Sequence, residues 1–437
     1  MVPKYIIILL LFWCLGPAGP LAAMSLEDCL TEALQGNPTI QQAQARYDAA
    51  LAQYRASSAS RLPVFNTRFS YVRLSDVDPF EIQTPMGTIT VSEPILDSYQ
   101  AMLLAQQPLF TGFRLANQVE LGRKGAGLSQ IGLEISRWHL RFEVIKAYYD
   151  LIKARASHAV IAERLKALQA HLQDVRNFVE AGMATRNDLL HTEVLVSTTA
   201  IRLNQAESGT DLAELLLKAL MNRQDQFPLE IDETVSVTIE TLPDLDSLLE
   251  LAGRSRLELR QYAVQVDMAH NLVAISRSNF YPTVMATGSY SYAQPNSRYQ
   301  PLQEEFNSDW SLGFVLSFVP FDWGKTAALV RQSKAEQREL EAKIEQMQTL
   351  VRTQVSQSYR KVLETMKHVE LVRIAVNHAR ENMRVAHDYY KEGLNRNTDV
   401  LDAETMLLQA NLEQTQAEID YIVSKSFLVK AVGTDPF

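Results

Sequence analysis

Two periodicities alternate along this chain, and each alternation occurs twice. Apolar residues recur at helical spacing from Ser25 to about Ser60: Leu26, Leu30, Ala33 and Leu34 form one stripe, and Ala43, Tyr47, Ala50, Leu51 and Tyr54 extend it past Asn37 and Pro38. Ser25 followed by Leu26-Glu27-Asp28 suits a helix cap with acids in the first turn. Pro63 ends the pattern, and Val64 to Leu74 reads as a strand with Phe65, Thr67, Phe69 and Tyr71 on one face. A turn-rich segment, Ser75 to Asp97, leads to a second strand at Tyr99 to Gln107 and then to Pro108-Leu109-Phe110-Thr111-Gly112. A proline-free helical pattern follows from about Phe113 to Glu180, a length of about 100 Å at 1.5 Å per residue. After a turn at Gly182 a shorter helix covers about Asn187 to Met221, and a polar connector, Asn222 to Asp246, holds a candidate strand at Val235 to Glu240.

The same order then recurs. Ser247 to Asn279 is helical, Thr283 to Tyr292 alternates, and a loop from Ala293 to Ser308 leads to the clearest strand in the chain. There Trp310, Leu312, Phe314, Leu316 and Phe318 alternate with Ser311, Gly313, Val315 and Ser317. A second proline-free helix runs from about Lys325 to Lys391, and a last helix follows Gly393 as far as about Val432. Pro63 and Pro282 lie 219 residues apart, Gly112 and Gly324 lie 212 apart, and Gly182 and Gly393 lie 211 apart. Two copies of helix, strand, loop, strand, long helix, glycine turn and helix therefore account for the chain after its first segment.

That first segment has its own logic. Lys4, an apolar run from Tyr5 to Leu15, Gly16-Pro17 and the small pair Ala22-Ala23 predict a secretory signal peptide over 1–23. Cys14 would leave with it, so Cys29 could form no intrachain disulfide. Losing Lys4 leaves 41 basic against 51 acidic residues, a formal charge of −10, with no basic run of the kind nucleic-acid binding needs. No later apolar run approaches the roughly 18 residues of a membrane helix, so any crossing of a membrane must use strands. Strands of about ten residues suit a bilayer when tilted, but four per chain cannot close a barrel, which needs about eight. Several chains must then share one barrel.

In their order and duplication, Ala33-Leu34-x-x-Asn37-Pro38, Pro108-Leu109-Phe110-Thr111-Gly112 with its echo at Pro320, and the two Gly-x5-Asp turns resemble the TolC family of outer-membrane efflux and secretion channels. The resemblance spans essentially the whole chain after the signal peptide. It implies a mixed fold, a long α-helical coiled-coil tunnel joined to a transmembrane β-barrel completed by trimerisation. Residues 24–62, 111–221, 247–281 and 323–432 would form the periplasmic tunnel, 63–110 and 282–322 the barrel strands and extracellular loops, and 222–246 and 433–437 equatorial connectors. It also implies a homotrimer set in outer-membrane lipid, whose tunnel tip docks a periplasmic adaptor bound to an inner-membrane pump.

The candidate chemistry gathers at the two glycine turns. Asp188 and Asp399 each open a helix after Gly182 and Gly393, which suits capping. Asp402 shares a helix face with Asp399, and its counterpart 211 residues earlier is His191, so capping does not explain it. In a trimer Asp399 and Asp402 would make carboxylate rings that favour cations, and the resemblance implies the same placement at the pore constriction. It further implies gate contacts through Asp188 and Tyr390. The family's gate arginine falls where this chain has Asn395, leaving Arg396 beside it as the candidate. Gly182, Gly393, Leu189 and Val400 form the hairpin tips expected to meet an adaptor. No catalytic, phosphate-loop or metal-ligand motif occurs, so neither an enzyme nor a cofactor is expected. The resulting reading is an exit duct that passively passes small molecules outward. An outer-membrane component of type I protein secretion fits the same residues, and a periplasmic coiled-coil scaffold or adaptor is the competing class.

Overall fold

The computed structural model describes residues 23–225, 227–234, 237–239, 241–300 and 302–434. The expected signal peptide, apart from residue 23, lies outside the described residues. So does half of the candidate strand Val235 to Glu240, and residues 237–239 are irregular. The elements in chain order are α1 (Leu26–Gly36), α2 (Pro38–Ala59), β1 (Val64–Arg73), β2 (Phe80–Thr84), β3 (Gly87–Ser92), β4 (Asp97–Phe110), α3 (Arg114–Glu180), α4 (Arg186–Leu220), α5 (Leu245–Ser255), α6 (Leu257–Arg277), β5 (Thr283–Gln294), β6 (Asn307–Ser317), α7 (Lys325–Lys391) and α8 (Asn397–Val432). α3 and α7 are each 67 residues long. The described residues divide into a unit within 45–132 and 260–346, which holds the strands, and a helical unit within 23–44, 133–259 and 347–434.

In the strand-bearing unit, β1, β4, β5 and β6 form one antiparallel sheet in that order. β4 and β5 join the two repeats, with Tyr99 opposite Gln294 and Ala105 opposite Gly288. β4 runs three residues past its expected end, through Pro108, where the register shifts. Proline has no N–H to give a ladder, so such an irregularity is where a strand accommodates it. The outer face of β6 is bare, with Trp310, Leu312, Phe314 and Leu316 all more than 60 % exposed. The segment Ser75 to Asp97, expected to be loop, contains the β2–β3 hairpin with Ile82 opposite Ile89. Its short alternations, Phe80-x-Ile82 and Ile89-x-Val91, are masked in the sequence by Pro79, Pro85 and Pro94 on either side.

The turn into each long helix uses two consecutive left-handed residues. They are Gly112 and Phe113 (φ 61° and 68°) in the first repeat, and Trp323 and Gly324 (φ 55° and 80°) in the second. The glycines differ by 212 only because glycine takes the first place in one turn and the second in the other. The turns themselves align at 211, the offset of the Gly182 and Gly393 tips.

In the helical unit, one core packs Cys29 and Ala33 of α1 and Ile40 of α2 on Leu140, Val144, Tyr148 and Leu151 of α3. The helix predicted from Ser25 to Ser60 is split at Asn37: its Oδ1 accepts from the Thr39 N–H at 2.8 Å and its Nδ2 donates to the Leu220 carbonyl at 2.8 Å. Pro38, at the first helical position, gives up no bond there. Burial pushes the Cys29 thiol up to about 11. A second core runs along α7, where Val355, Val362, Val369 and Val376 recur every seven residues and pack on Ala410, Ala417, Tyr421 and Leu428 of α8. A seven-residue repeat of buried positions is the signature of coiled-coil packing.

A Cβ on Gly112 would lie 2.6 Å from the Ser278 carbonyl oxygen and 2.8 Å from the Tyr281 Cβ, whereas one on Gly324 meets nothing within 4 Å. Both positions carry positive φ. Gly112→Ala is therefore expected to destabilise by about 3 kcal/mol or more, and Gly324→Ala by about 1 kcal/mol. Denaturant unfolding of both variants measures this; equal losses would show that backbone strain alone sets the cost.

Candidate functional site

Both hairpin turns in the helical unit close with the same bonds. The Met183 N–H donates to the Phe178 carbonyl at 2.8 Å and the Leu394 N–H to the Tyr389 carbonyl at 2.8 Å, across Gly182 (φ 74°) and Gly393 (φ 75°). This bond from beyond the helix end back to its last turn needs a left-handed residue between its ends, and glycine adopts one without strain.

The following helices are capped differently. Thr185 and Asp188 form a reciprocal box: the Asp188 N–H donates to Thr185 Oγ1 at 3.2 Å, and the Thr185 N–H donates to Asp188 Oδ2 at 2.9 Å. Thr185 Oγ1 also donates to that carboxylate at 2.6 Å. In the second turn the Arg396 N–H donates to Asp399 Oδ2 at 2.9 Å. Arginine has no acceptor to return the bond, so this cap is one-sided. Asp402, one turn on, is exposed, and among the described residues its carboxylate has no hydrogen bond or ion pair.

Tyr390 is half-buried, and its ring packs against His171 at 5.5 Å and Phe178 at 5.7 Å between centroids. Its hydroxyl is buried without a partner among the described residues. Burial raises its pKa first, and the charges of Asp188 and Asp174 add to the shift. Tyr390 and Asp188, the two expected gate residues, share no hydrogen bond within this chain, and the Asp188 carboxylate is held by Thr185. Arg396 is exposed and forms no ion pair among the described residues. Gly182 and Gly393 are exposed and Leu189 is half-buried, but Val400 is completely buried. Within the folded chain the Val400 side chain is core and offers nothing to an adaptor, which corrects its expected docking role.

Directly behind these turns lies a polar seam that sequence reasoning missed. Ile161, Arg164, Leu168, His171 and Val175 are all buried and follow one another at spacings of three and four along α3, so a polar residue fills every second core position. α8 answers with Asn397, Leu401, Glu404 and Leu408. His171 Nε2 lies 2.6 Å from Asn397 Oδ1, and Arg164 Nη1 bonds Glu404 Oε2. The second pair sits seven residues back along α3 and seven forward along α8, as antiparallel helices in one register require. Asn397 Nδ2 also donates to Thr192 Oγ1 at 3.2 Å, tying the start of α8 to α4 of the first hairpin. Burial lowers the Arg164 pKa, although its charge persists at any ordinary pH. The signal was available: two polar residues interrupt an otherwise aliphatic heptad stripe.

The arrangement holds two tips in fixed register and presents acids at one of them. Among the described residues no group of three or more His, Cys, Asp or Glu could hold a metal ion. A family model described as outer membrane efflux protein matches residues 29–223 and 248–434. The chain is 22 % identical over 418 residues to outer membrane protein TolC of Vibrio cholerae, covering 94 % of this chain and 91 % of that protein. It is 25 % identical over 407 residues to the alkaline protease secretion protein AprF of Pseudomonas aeruginosa, covering 92 % and 83 %. Among solved structures, the outer membrane protein VceC of Vibrio cholerae superimposes with a TM-score of 0.79 at 17 % identity, covering 94 % of this chain and 96 % of that one.

Removing one partner of the Arg164–Glu404 pair strands a buried charge. Arg164→Ala and Glu404→Ala are each expected to cost about 3–5 kcal/mol in denaturant unfolding, whereas Arg164→Met with Glu404→Leu should fall close to wild type. A double variant as damaged as either single one would show that the pair, and not the uncompensated charge, sets the cost.

Proposed function

This chain belongs to the outer membrane efflux protein family, and from that membership we propose a homotrimeric duct with twelve barrel strands, four from each chain. It is an outer-membrane exit duct of efflux or secretion systems. The observation that supports assembly from several chains is the open sheet, in which β1 and β6 each expose a ladder edge and the outer face of β6 is apolar; the number three comes from the family resemblance. Neither edge can remain unpaired in hydrocarbon. Among the described residues no helix is long and apolar enough to cross a membrane, and the exposed apolar face of β6 supports the strands as the part that does. A periplasmic scaffold would have no use for such a sheet.

In this reading residues 24–62, 111–221, 247–281 and 323–432 form the periplasmic tunnel, and 63–110 and 282–322 the barrel and its outer loops. The turns at Gly182 and Gly393 form the mouth, where Asp399 and Asp402 from three chains line the constriction. Exposure of Asp402 without any partner supports its place there, since a carboxylate with no structural task is free to face a pore. Tyr390, whose hydroxyl lacks a partner among the described residues, would find one across the chain boundary, with Asp188 and Arg396 as the neighbouring gate groups. Leu189 and the two tip glycines are the surface offered to an adaptor that joins the duct to an inner-membrane pump. The duct itself does no energetic work. Export of small molecules is the primary reading, and the resemblance to AprF supports protein secretion as the second.

Asp399→Asn with Asp402→Asn retains an oxygen for the α8 cap while removing both charges. In planar-bilayer recordings the double variant should need a roughly tenfold higher divalent-cation concentration for the same block. Block identical to wild type would remove both residues from the constriction.

A further inference from the structure

A cavity of about 350 Å³ in the strand-bearing unit has no part in the reading above. It lies where β4 and β6 end and β5 begins, and the first residues of both long helices, Arg114 and Lys325, line it. These two are equivalent across the repeat at the 211 offset, so the duplicated turn has brought two cations to one place. Neither side chain has a carboxylate partner among the described residues. Asp322, also in the lining, is already engaged: it accepts from the Gly324 N–H at 3.1 Å, the Thr326 N–H at 2.8 Å and the Thr326 hydroxyl at 2.5 Å. Thr111, Ser317 and Asn279 add neutral donors to the wall.

The surroundings indicate what such a cavity would meet. Phe113, Tyr281, Phe321 and Trp323 ring this end of the sheet, each about half exposed or more, and Trp323 is 91 % exposed. Phe113 packs edge-on to Tyr281 at 6.0 Å, and Phe321 to Trp323 at 5.0 Å. A girdle of exposed aromatics beside apolar strands marks the level of lipid headgroups in a membrane barrel. Unpaired cations at that level face phosphates; Arg114 and Lys325 outnumber the one charged carboxylate of the wall, Asp322, and with the hydroxyl donors and the starts of two helices they favour a negative charge.

We propose that this cavity binds the phosphate-bearing headgroup of an anionic phospholipid, held by Arg114 and Lys325. The proposal rests on the reading of the strands as a barrel wall. By fixing a lipid between the ends of the sheet and the starts of α3 and α7, the site would set the depth of the barrel in its leaflet.

The test uses the full chain in its native oligomer, reconstituted in an equimolar mixture of phosphatidylglycerol and phosphatidylcholine and released for native mass spectrometry. Wild type should retain phosphatidylglycerol in preference, and Arg114→Gln with Lys325→Gln should lower that retention roughly tenfold or more, the scale of two basic contacts at a membrane surface. Arg338→Gln, on α7 but outside the cavity, should change nothing. Equal retention of both lipids by wild type, or unchanged retention by the double variant, overturns the site. Displacement of the lipid by inorganic phosphate would assign the cavity to free phosphate and overturn the lipid assignment. Quenching by brominated acyl chains, read as the difference between wild type and Trp310→Phe, tests the barrel separately. If Trp310 is not quenched, the barrel reading fails and the site with it; if Trp310 is quenched and lipid preference is absent, the site alone fails.

Discussion

Hydrocarbon offers no partner to a peptide N–H or carbonyl, and a sheet of four strands has two edges to satisfy. That constraint shapes the rest of the molecule. It makes the chain a fraction of a barrel, so any channel it forms must be built by several copies. It also explains why β6 can carry Trp310, Leu312, Phe314 and Leu316 outward at exposures that would be a liability on a soluble protein. The duplicated sequence serves the same end: each repeat supplies two strands, and the β4–β5 ladder joins them into a single piece of wall.

Long helices raise a different problem, because a heptad seam of aliphatic residues alone would permit several registers. α7 and α8 rely largely on small and aliphatic layers, Val355, Val362 and Val369 against Ala410, Ala417 and Tyr421, with the Thr365 and Ser424 hydroxyls 2.8 Å apart as one polar layer. α3 and α8 instead bury His171 with Asn397 and Arg164 with Glu404, one heptad apart. A one-turn slip would leave all four facing apolar neighbours at a cost of several kcal/mol. Buried polar pairs are best attested as register devices, and this seam runs immediately behind the two tips whose relative position a gate would depend on.

The architecture was legible in the sequence because it depends on periodicity, and periodicity survives in a list of residues. Alternation in Trp310 to Phe318 and the proline-free runs before Gly182 and Gly393 needed no tertiary information. The β2–β3 hairpin was not legible, because three prolines outweighed two short alternations. The seam was readable only in principle, because nothing local says which face of a long helix is buried, so Arg164 and His171 do not stand out from the other polar residues of α3. Val400 shows the converse: its place beside the tip suggested a docking contact, whereas its burial makes it part of the core.

The tips also show how a repeat can diverge in chemistry while its backbone is held fixed. The closing bonds at Phe178 and Tyr389, the glycine angles and the Asp at the third position of the next helix are all retained at an offset of 211. What changed are the side chains that backbone geometry does not constrain. Thr185, which completes a reciprocal cap, became Arg396, which cannot. Exposed His191 became exposed Asp402, and Arg186 became the buried Asn397 of the seam. The first tip therefore keeps its Asp188 carboxylate bound in its own cap and acts as a fixed support. The second gives up one cap bond, gains an acid with no structural partner, and is anchored to α3 and α4 through Asn397 instead. A turn anchored from behind, with charge placed ahead of it, can line a pore without its own stability depending on the residues that face the passage.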